Sequence, residues 1–128
     1  MKPYQAGCHC GAVKIEIDLP DEIEVHECNC SMCRMVGFQH VIVPADRFRL
    51  LQGQEEITTY TFNTGVAKHT FCSQCGVKPF YTPRSNPDGF SVNLRCMFSV
   101  PPSVTLEPFD GQNWEQNAGE LAHLSRSE

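Results

Sequence analysis

The chain predicts an all-β domain of short antiparallel strands with little helix, and three observations lead there. Val13, Ile15, Ile17 and Leu19 alternate with Lys14, Glu16 and Asp18, the period-two pattern of a half-buried strand. Turn signals such as Pro20-Asp21-Glu22, Asn63-Thr64-Gly65 and Asn86-Pro87-Asp88-Gly89 divide the chain into roughly eight to ten short strands. Seven of the eight cysteines fall into tight groups, the mark of thiols gathered around metal rather than spread along disulfides.

Taken in order, Tyr4 to Gly11 reads as two short extended pieces joined by a tight turn, with Gly7 and Gly11 flanking Cys8 and Cys10. The alternating strand from Val13 follows, and Pro20-Asp21-Glu22 ends it. A strand at Ile23 to His26 leads into Cys28-Asn29-Cys30-Ser31-Met32-Cys33-Arg34. Ser31 to Val36 suits one or two helical turns, with Ser31 as N-cap and Gly37 as the stop. Phe38 to Val43 is a strand, Pro44 to Phe48 a turn, and Arg49 to Leu51 a short strand ending in Gly53. Ile57–Phe62 and Val66–Phe71 are expected to form a hairpin around Asn63-Thr64-Gly65. The second of these runs into Cys72-Ser73-Gln74-Cys75-Gly76, followed by strands at Val77–Thr82 and Phe90–Cys96. From Pro101 the chain reads as irregular, anchored by Phe109-Asp110-Gly111 and Trp114, and residues 117–128 as either a short helix or a frayed tail.

The 128 residues, 41% hydrophobic and 20% charged, suit a single domain spanning 1–128 with a core that needs no disulfides. A net charge of −5 argues against nucleic acid or an anionic membrane as partner. No apolar run reaches transmembrane length, and Met1 to Gln5 lacks the apolar stretch of a signal peptide. A cytoplasmic location is therefore expected, where thiols stay reduced.

Grouped thiols bind soft metal, and zinc is the default guest. The seven divide as four plus three. Cys8, Cys10, Cys72 and Cys75 would close a structural tetrahedral site, pinning the N-terminal turn to the middle of the chain. Cys28, Cys30 and Cys33 leave a second zinc one ligand short. Either Cys96 or one of His26, His40 and His69 completes that site, or the position is open for a thiolate or an oxygen ligand. Arg34, directly after the third thiol, reads either as a solvated charge or as a bidentate clamp for a substrate carboxylate. No general base stands out, and His26 is the nearest candidate.

Gly-Cys-His-Cys-Gly at 7–11, Cys-x-Cys-Ser-x-Cys-Arg at 28–34 and Phe-Cys-x-x-Cys-Gly at 71–76 occur in an order and spacing that resembles the glutathione-dependent formaldehyde-activating enzyme family. That family also includes centromere protein V. The stretch Val43 to Phe48, Leu51-Gln52-Gly53, Phe109-Asp110-Gly111 and Trp114 add to the resemblance, which covers nearly the whole chain. It implies an Mss4-like, zinc-pinned sandwich of short strands with two zinc ions. Cys8, Cys10, Cys72 and Cys75 would hold the structural ion, and Cys28, Cys30 and Cys33 the ion linked to activity. The implied function is a carbon–sulfur lyase or synthase acting on a glutathione–aldehyde adduct such as S-hydroxymethylglutathione. The alternative, drawn from the same fold, is a non-catalytic zinc module that binds a protein partner.

Overall fold

Two packed sheets and a small hairpin carry the chain in a computed structural model that describes residues 1–125. The first sheet is antiparallel, in the order β1 (Lys2–Gly7), β2 (Lys14–Leu19), β5 (Phe48–Gln52). The second has five strands: β10 (Ser103–Phe109), β3 (Glu22–Cys28), β4 (Gln39–Pro44), β9 (Gly89–Asn93) and β8 (Phe80–Tyr81). A separate hairpin pairs β6 (Ile57–Tyr60) with β7 (His69–Cys72). The alternating residues predicted to line one face do so: Val13, Ile15, Ile17 and Leu19 are all buried. They share one cluster with Val25, Val41, Val43, Phe80 and Val92 of the second sheet. Phe48 from the first sheet stacks on Phe90 from the second, with ring centroids 4.1 Å apart. The core thus fills the space between the two inner faces, the arrangement of a sandwich.

Several expectations are corrected. The segment after Pro101, read as irregular, holds the seven-residue β10. Its pairing with β3 is parallel, against the expectation of antiparallel strands throughout. Most of β10 is exposed and it contains Pro108, so neither alternation nor propensity announces it. Proline is tolerated because this is an edge strand. Pairing with β3 specifies it, running from Ser103 opposite Glu22 to Phe109 opposite Cys28. The strand expected at Val77–Thr82 shrinks to Phe80–Tyr81. The strand expected to reach Cys96 stops at Asn93, whose side chain accepts from the Arg95 N–H and starts a 3₁₀ turn. The hairpin strands are shorter than expected, and the loop between Tyr60 and His69 is correspondingly longer.

Helix α1 (Ser31–Val36) stops at Gly37 as predicted, with φ of 70° and its N–H bonded to the Cys33 carbonyl. Its N-cap is Cys30 rather than Ser31: the Cys30 sulfur takes the Cys33 N–H, the job an oxygen usually does. α2 (Trp114–Asn117) leads into the expected tail, whose described residues form two 3₁₀ turns ending at Ser125. Asn86 anchors those turns by donating to the Leu121 carbonyl and to Ser125. Residues 126–128 of that tail lie outside the described residues. No helix among the described residues is long and apolar enough to cross a membrane.

Candidate functional site

Two thiol groups form, and each is assembled by local backbone rules. Cys8 and Cys10 lie in the turn between β1 and β2, where the Val13 N–H points at the Cys8 sulfur and Gly11 takes φ of 82°. Cys72 ends β7, and its turn repeats the device: the Gln74 N–H points at the Cys72 sulfur and Gly76 takes φ of 76°. Positive φ is what glycine supplies in such knuckles without steric cost. The four sulfurs converge, with Cys8 to Cys10 at 3.6 Å and Cys10 to Cys72 at 3.7 Å. A disulfide would need about 2.05 Å, whereas sulfurs on a tetrahedral zinc with ~2.3 Å bonds sit about 3.8 Å apart. All eight cysteines are free thiols. The group fits a metal ion and not a bridge.

The second group comes from β3, α1 and the strand beside them. Cys28 ends β3, Cys30 caps α1 and Cys33 sits in its first turn, and the three sulfurs lie within 4.8 Å of one another. Charge is favoured on Cys30 because the Cys28 thiol, the Cys33 thiol and the Cys33 N–H all donate toward it, drawing its pKa far down. The parallel register sets Phe109 opposite Cys28 and delivers Asp110-Gly111 against the thiols. Asn29 ties this junction: its N–H donates to the Phe109 carbonyl, its side-chain amide donates to Asp110, and its side-chain oxygen accepts from the Gln112 N–H. Gly111 leaves room for the three thiols, since a Cβ there would strike the Cys28 sulfur and crowd the Cys30 Cβ at 3.1 Å. Phe109-Asp110-Gly111 is thus the brace of the three-thiol turn, a role its sequence alone did not disclose.

No histidine nitrogen joins the three sulfurs in a mutual set among the described residues. His40 comes nearest, its Nε2 lying 3.2 Å from the Cys33 sulfur while Nδ1 takes the Ser91 hydroxyl at 2.9 Å. Burial, then the nearby Lys78 charge, push the His40 pKa down to about 3. The ring is therefore neutral, with Nε2 facing the Cys33 sulfur and Nδ1 the Ser91 hydroxyl. His26 is the cross-strand neighbour of His40, so both rings stand on the same face of the sheet. The buried Nδ1 of His26 has no hydrogen-bond partner among the described residues. Cys96, offered by the sequence as a fourth ligand, donates instead to the Lys78 carbonyl at 3.7 Å and belongs to neither group.

The three thiols open onto a cavity of about 550 Å³, a size that suits a small-molecule ligand. His26, His40, His69 and Tyr81 form its inner wall. Phe62 and Trp114 supply its apolar sides, and Arg84 its positive charge. The Arg84 guanidinium stacks on the Trp114 ring at 3.7 Å and pairs with Glu115 at 2.7 Å. Arg34, by contrast, is exposed in the last turn of α1 and is absent from the cavity wall. Arg84 was not singled out by the sequence, because a lone arginine in a Pro-Arg-Ser loop carries no motif. Only its place in the wall of the cavity that the thiols share gives it meaning.

A family model described as "Glutathione-dependent formaldehyde-activating enzyme" matches residues 3–112. A curated Talaromyces marneffei protein, named "Putative glutathione-dependent formaldehyde-activating enzyme", is 32% identical over 82 residues, which is 57% of this chain and 41% of that protein. The aligned region thus spans about two fifths of that relative's length. A crystal structure of a Rhodobacter sphaeroides protein superposes with a TM-score of 0.71 at 35% identity, covering 80% of this chain and 99% of the other.

Proposed function

The chain belongs to the glutathione-dependent formaldehyde-activating enzyme family, and from that premise we propose that it makes and breaks the carbon–sulfur bond of a glutathione–aldehyde adduct such as S-hydroxymethylglutathione. One observation carries the reading: three convergent thiols without a fourth protein ligand in their mutual set among the described residues, facing a cavity large enough for a small molecule. Cys28, Cys30 and Cys33 would hold a zinc ion, with Cys8, Cys10, Cys72 and Cys75 holding a second, structural one. When bound, the reactive ion supplies Lewis acidity and affinity for a thiolate at its exchangeable position.

The chain's own side chains then do the rest. His40 hydrogen-bonds the Cys33 sulfur and fixes its direction, as hydrogen-bonded neighbours of metal ligands generally do. Phe62 and Trp114 line the approach with apolar surface that excludes water from the reacting atoms. Arg84, already held flat on Trp114, offers a guanidinium to a carboxylate of a glutathione-type ligand. Arg34, exposed on α1 directly after Cys33, adds a positive charge that favours approach of an anionic thiol adduct. Free thiols throughout the chain suit a reducing compartment such as the cytoplasm.

The test is magnetic-resonance exchange spectroscopy on glutathione plus formaldehyde with metal-loaded protein. Faster interconversion of free and hydroxymethylated glutathione is expected, and it should vanish in Cys30→Ser. Exchange no faster than in buffer would remove the catalytic reading and leave the non-catalytic metal module in its place.

A further inference from the structure

Lys78 is the most unusual charge in the protein. Its side chain is 7% exposed, yet no carboxylate pairs with it among the described residues. Its amine lies 2.7 Å from Nδ1 of His69, 4.0 Å from the centre of the Tyr81 ring and 5.1 Å from that of Phe38. Both aromatic faces favour an ammonium over an amine. Burial lowers the Lys78 pKa to about 8, which still leaves the amine mainly an ammonium at neutral pH. An ammonium has three donors and no acceptor, so in that state Nδ1 of His69 accepts and the ring proton resides on Nε2. His69 is clamped in that orientation between Phe62, stacked at 5.2 Å, and Tyr81, stacked at 4.9 Å and 12°. The ring lines the same cavity as the three thiols, and Nε2 has no hydrogen-bond partner among the described residues.

We propose that His69 is a catalytic hydrogen-bond donor in this cavity, presenting Nε2–H to the oxygen of the thiol–aldehyde adduct, and that Lys78 is the positioning residue that fixes this tautomer. The proposal rests on the adduct chemistry put forward above. In breakdown of an S-hydroxymethyl thioether, the hydroxyl loses its proton to solvent and the C–O bond becomes a carbonyl. The carbon–sulfur electron pair leaves with sulfur as a thiolate. Negative charge gathers on the oxygen on the way, in either direction of reaction. A soft thiol site takes the sulfur end of such a ligand, leaving the oxygen to a hard donor in a fixed place. Burial, and then the Lys78 charge, lower the His69 pKa to about 4, so the ring stays a neutral donor at neutral pH. A single pre-placed donor to a developing oxyanion is worth about 10²–10³ in rate.

Two measurements on the metal-loaded protein decide it. Nitrogen-15 imidazole correlation spectra should show His69 as the Nε2–H tautomer, unchanged in Lys78→Arg and shifted toward Nδ1–H or a mixture in Lys78→Met. An Nδ1–H tautomer in the unmodified protein overturns the proposal outright. Exchange of glutathione with formaldehyde should fall about 100-fold in His69→Phe, which keeps the aromatic stack, and recover in part in His69→Gln, whose amide can donate. Wild-type exchange in His69→Phe overturns the assignment while leaving the adduct reading intact. Absence of exchange in the unmodified protein removes both. Should His69→Phe fail to fold, His69→Gln and the tautomer spectra still decide: a Gln variant with undiminished rate beside a Lys78→Met spectrum identical to wild type rejects the proposal.

Discussion

His40 Nε2 lies 3.2 Å from the Cys33 sulfur, and behind it the Ser91 hydroxyl meets Nδ1 at 2.9 Å. A hydroxyl, an imidazole and a thiol thus stand in line from the core of the second sheet to the three-thiol turn. Removing the middle member leaves both the Cys33 sulfur and the Ser91 hydroxyl without this hydrogen-bond partner. His40→Ala is expected to weaken metal binding at Cys28, Cys30 and Cys33 by about 10–100-fold, leaving the four-thiol group untouched. Chelator competition with metal-loaded protein reads this directly, and equal retention in variant and wild type would show that the contact does not support the thiol.

Gly111→Ala tests the brace. The added methyl would meet the Cys28 sulfur and, at 3.1 Å, the Cys30 Cβ. Gly111 does not adopt the left-handed backbone that other glycines here require, so space is the reason for it. Because β10 and the Asn29 hydrogen bonds hold the segment in place, the sulfur must give way. Metal content is expected to fall from two ions per chain to one, with the fold retained. A variant that still binds two ions with wild-type affinity would mean that the segment shifts freely.

What the sequence disclosed and what it did not follow from range. The β2 face and the stop of α1 at Gly37 were legible, because period and glycine chemistry act within a few residues. So was the grouping of thiols into four and three, since each pair or triplet is a local knuckle and only the pairing of Cys8-x-Cys10 with Cys72-x-x-Cys75 spans the chain. β10 was missed because an exposed edge strand owes its existence to a partner some eighty residues away. The same long-range register explains why Phe109-Asp110-Gly111 stood out as a motif but had no assignable task. Arg84 and Lys78 went unassigned, and His69 was read only as a candidate fourth ligand, for a related reason. Each gains its meaning from what stacks on it: Trp114 on Arg84, and Tyr81 against both His69 and Lys78.

Cys72→Ser should separate the two thiol groups by consequence. Cys72 is buried at the end of β7 and lies 3.7 Å from the Cys10 sulfur, so it joins the β1–β2 turn to the hairpin. If metal binding there contributes to folding, even ~3 kcal/mol lost would lower the thermal midpoint by roughly 10 °C in a chain of this size. Strong chelation of wild-type protein should do the same. Cys96→Ser, outside both groups, is the control and should bind two ions as before. A Cys72→Ser midpoint equal to wild type would show that the sheets hold this turn without metal.

The acid limb of stability should report the neutral state of His69. Its pKa is lowered to about 4, first by burial and then by the Lys78 charge, whereas an unfolded histidine titrates near 6.5. Between those values the unfolded chain binds the extra proton, so stability rises with pH there. The contribution is complete above about pH 6.5 and lost as pH falls toward 4. His69→Gln, which cannot titrate, should flatten this part of the profile while keeping a polar group beside Lys78. Thermal midpoints measured from pH 4 to 8 on both proteins in the same metal-buffered solution give the comparison, since loss of metal in acid affects both alike. Parallel profiles would mean that His69 takes up its proton in the folded protein as readily as in the unfolded one, and that Lys78 does not hold it neutral.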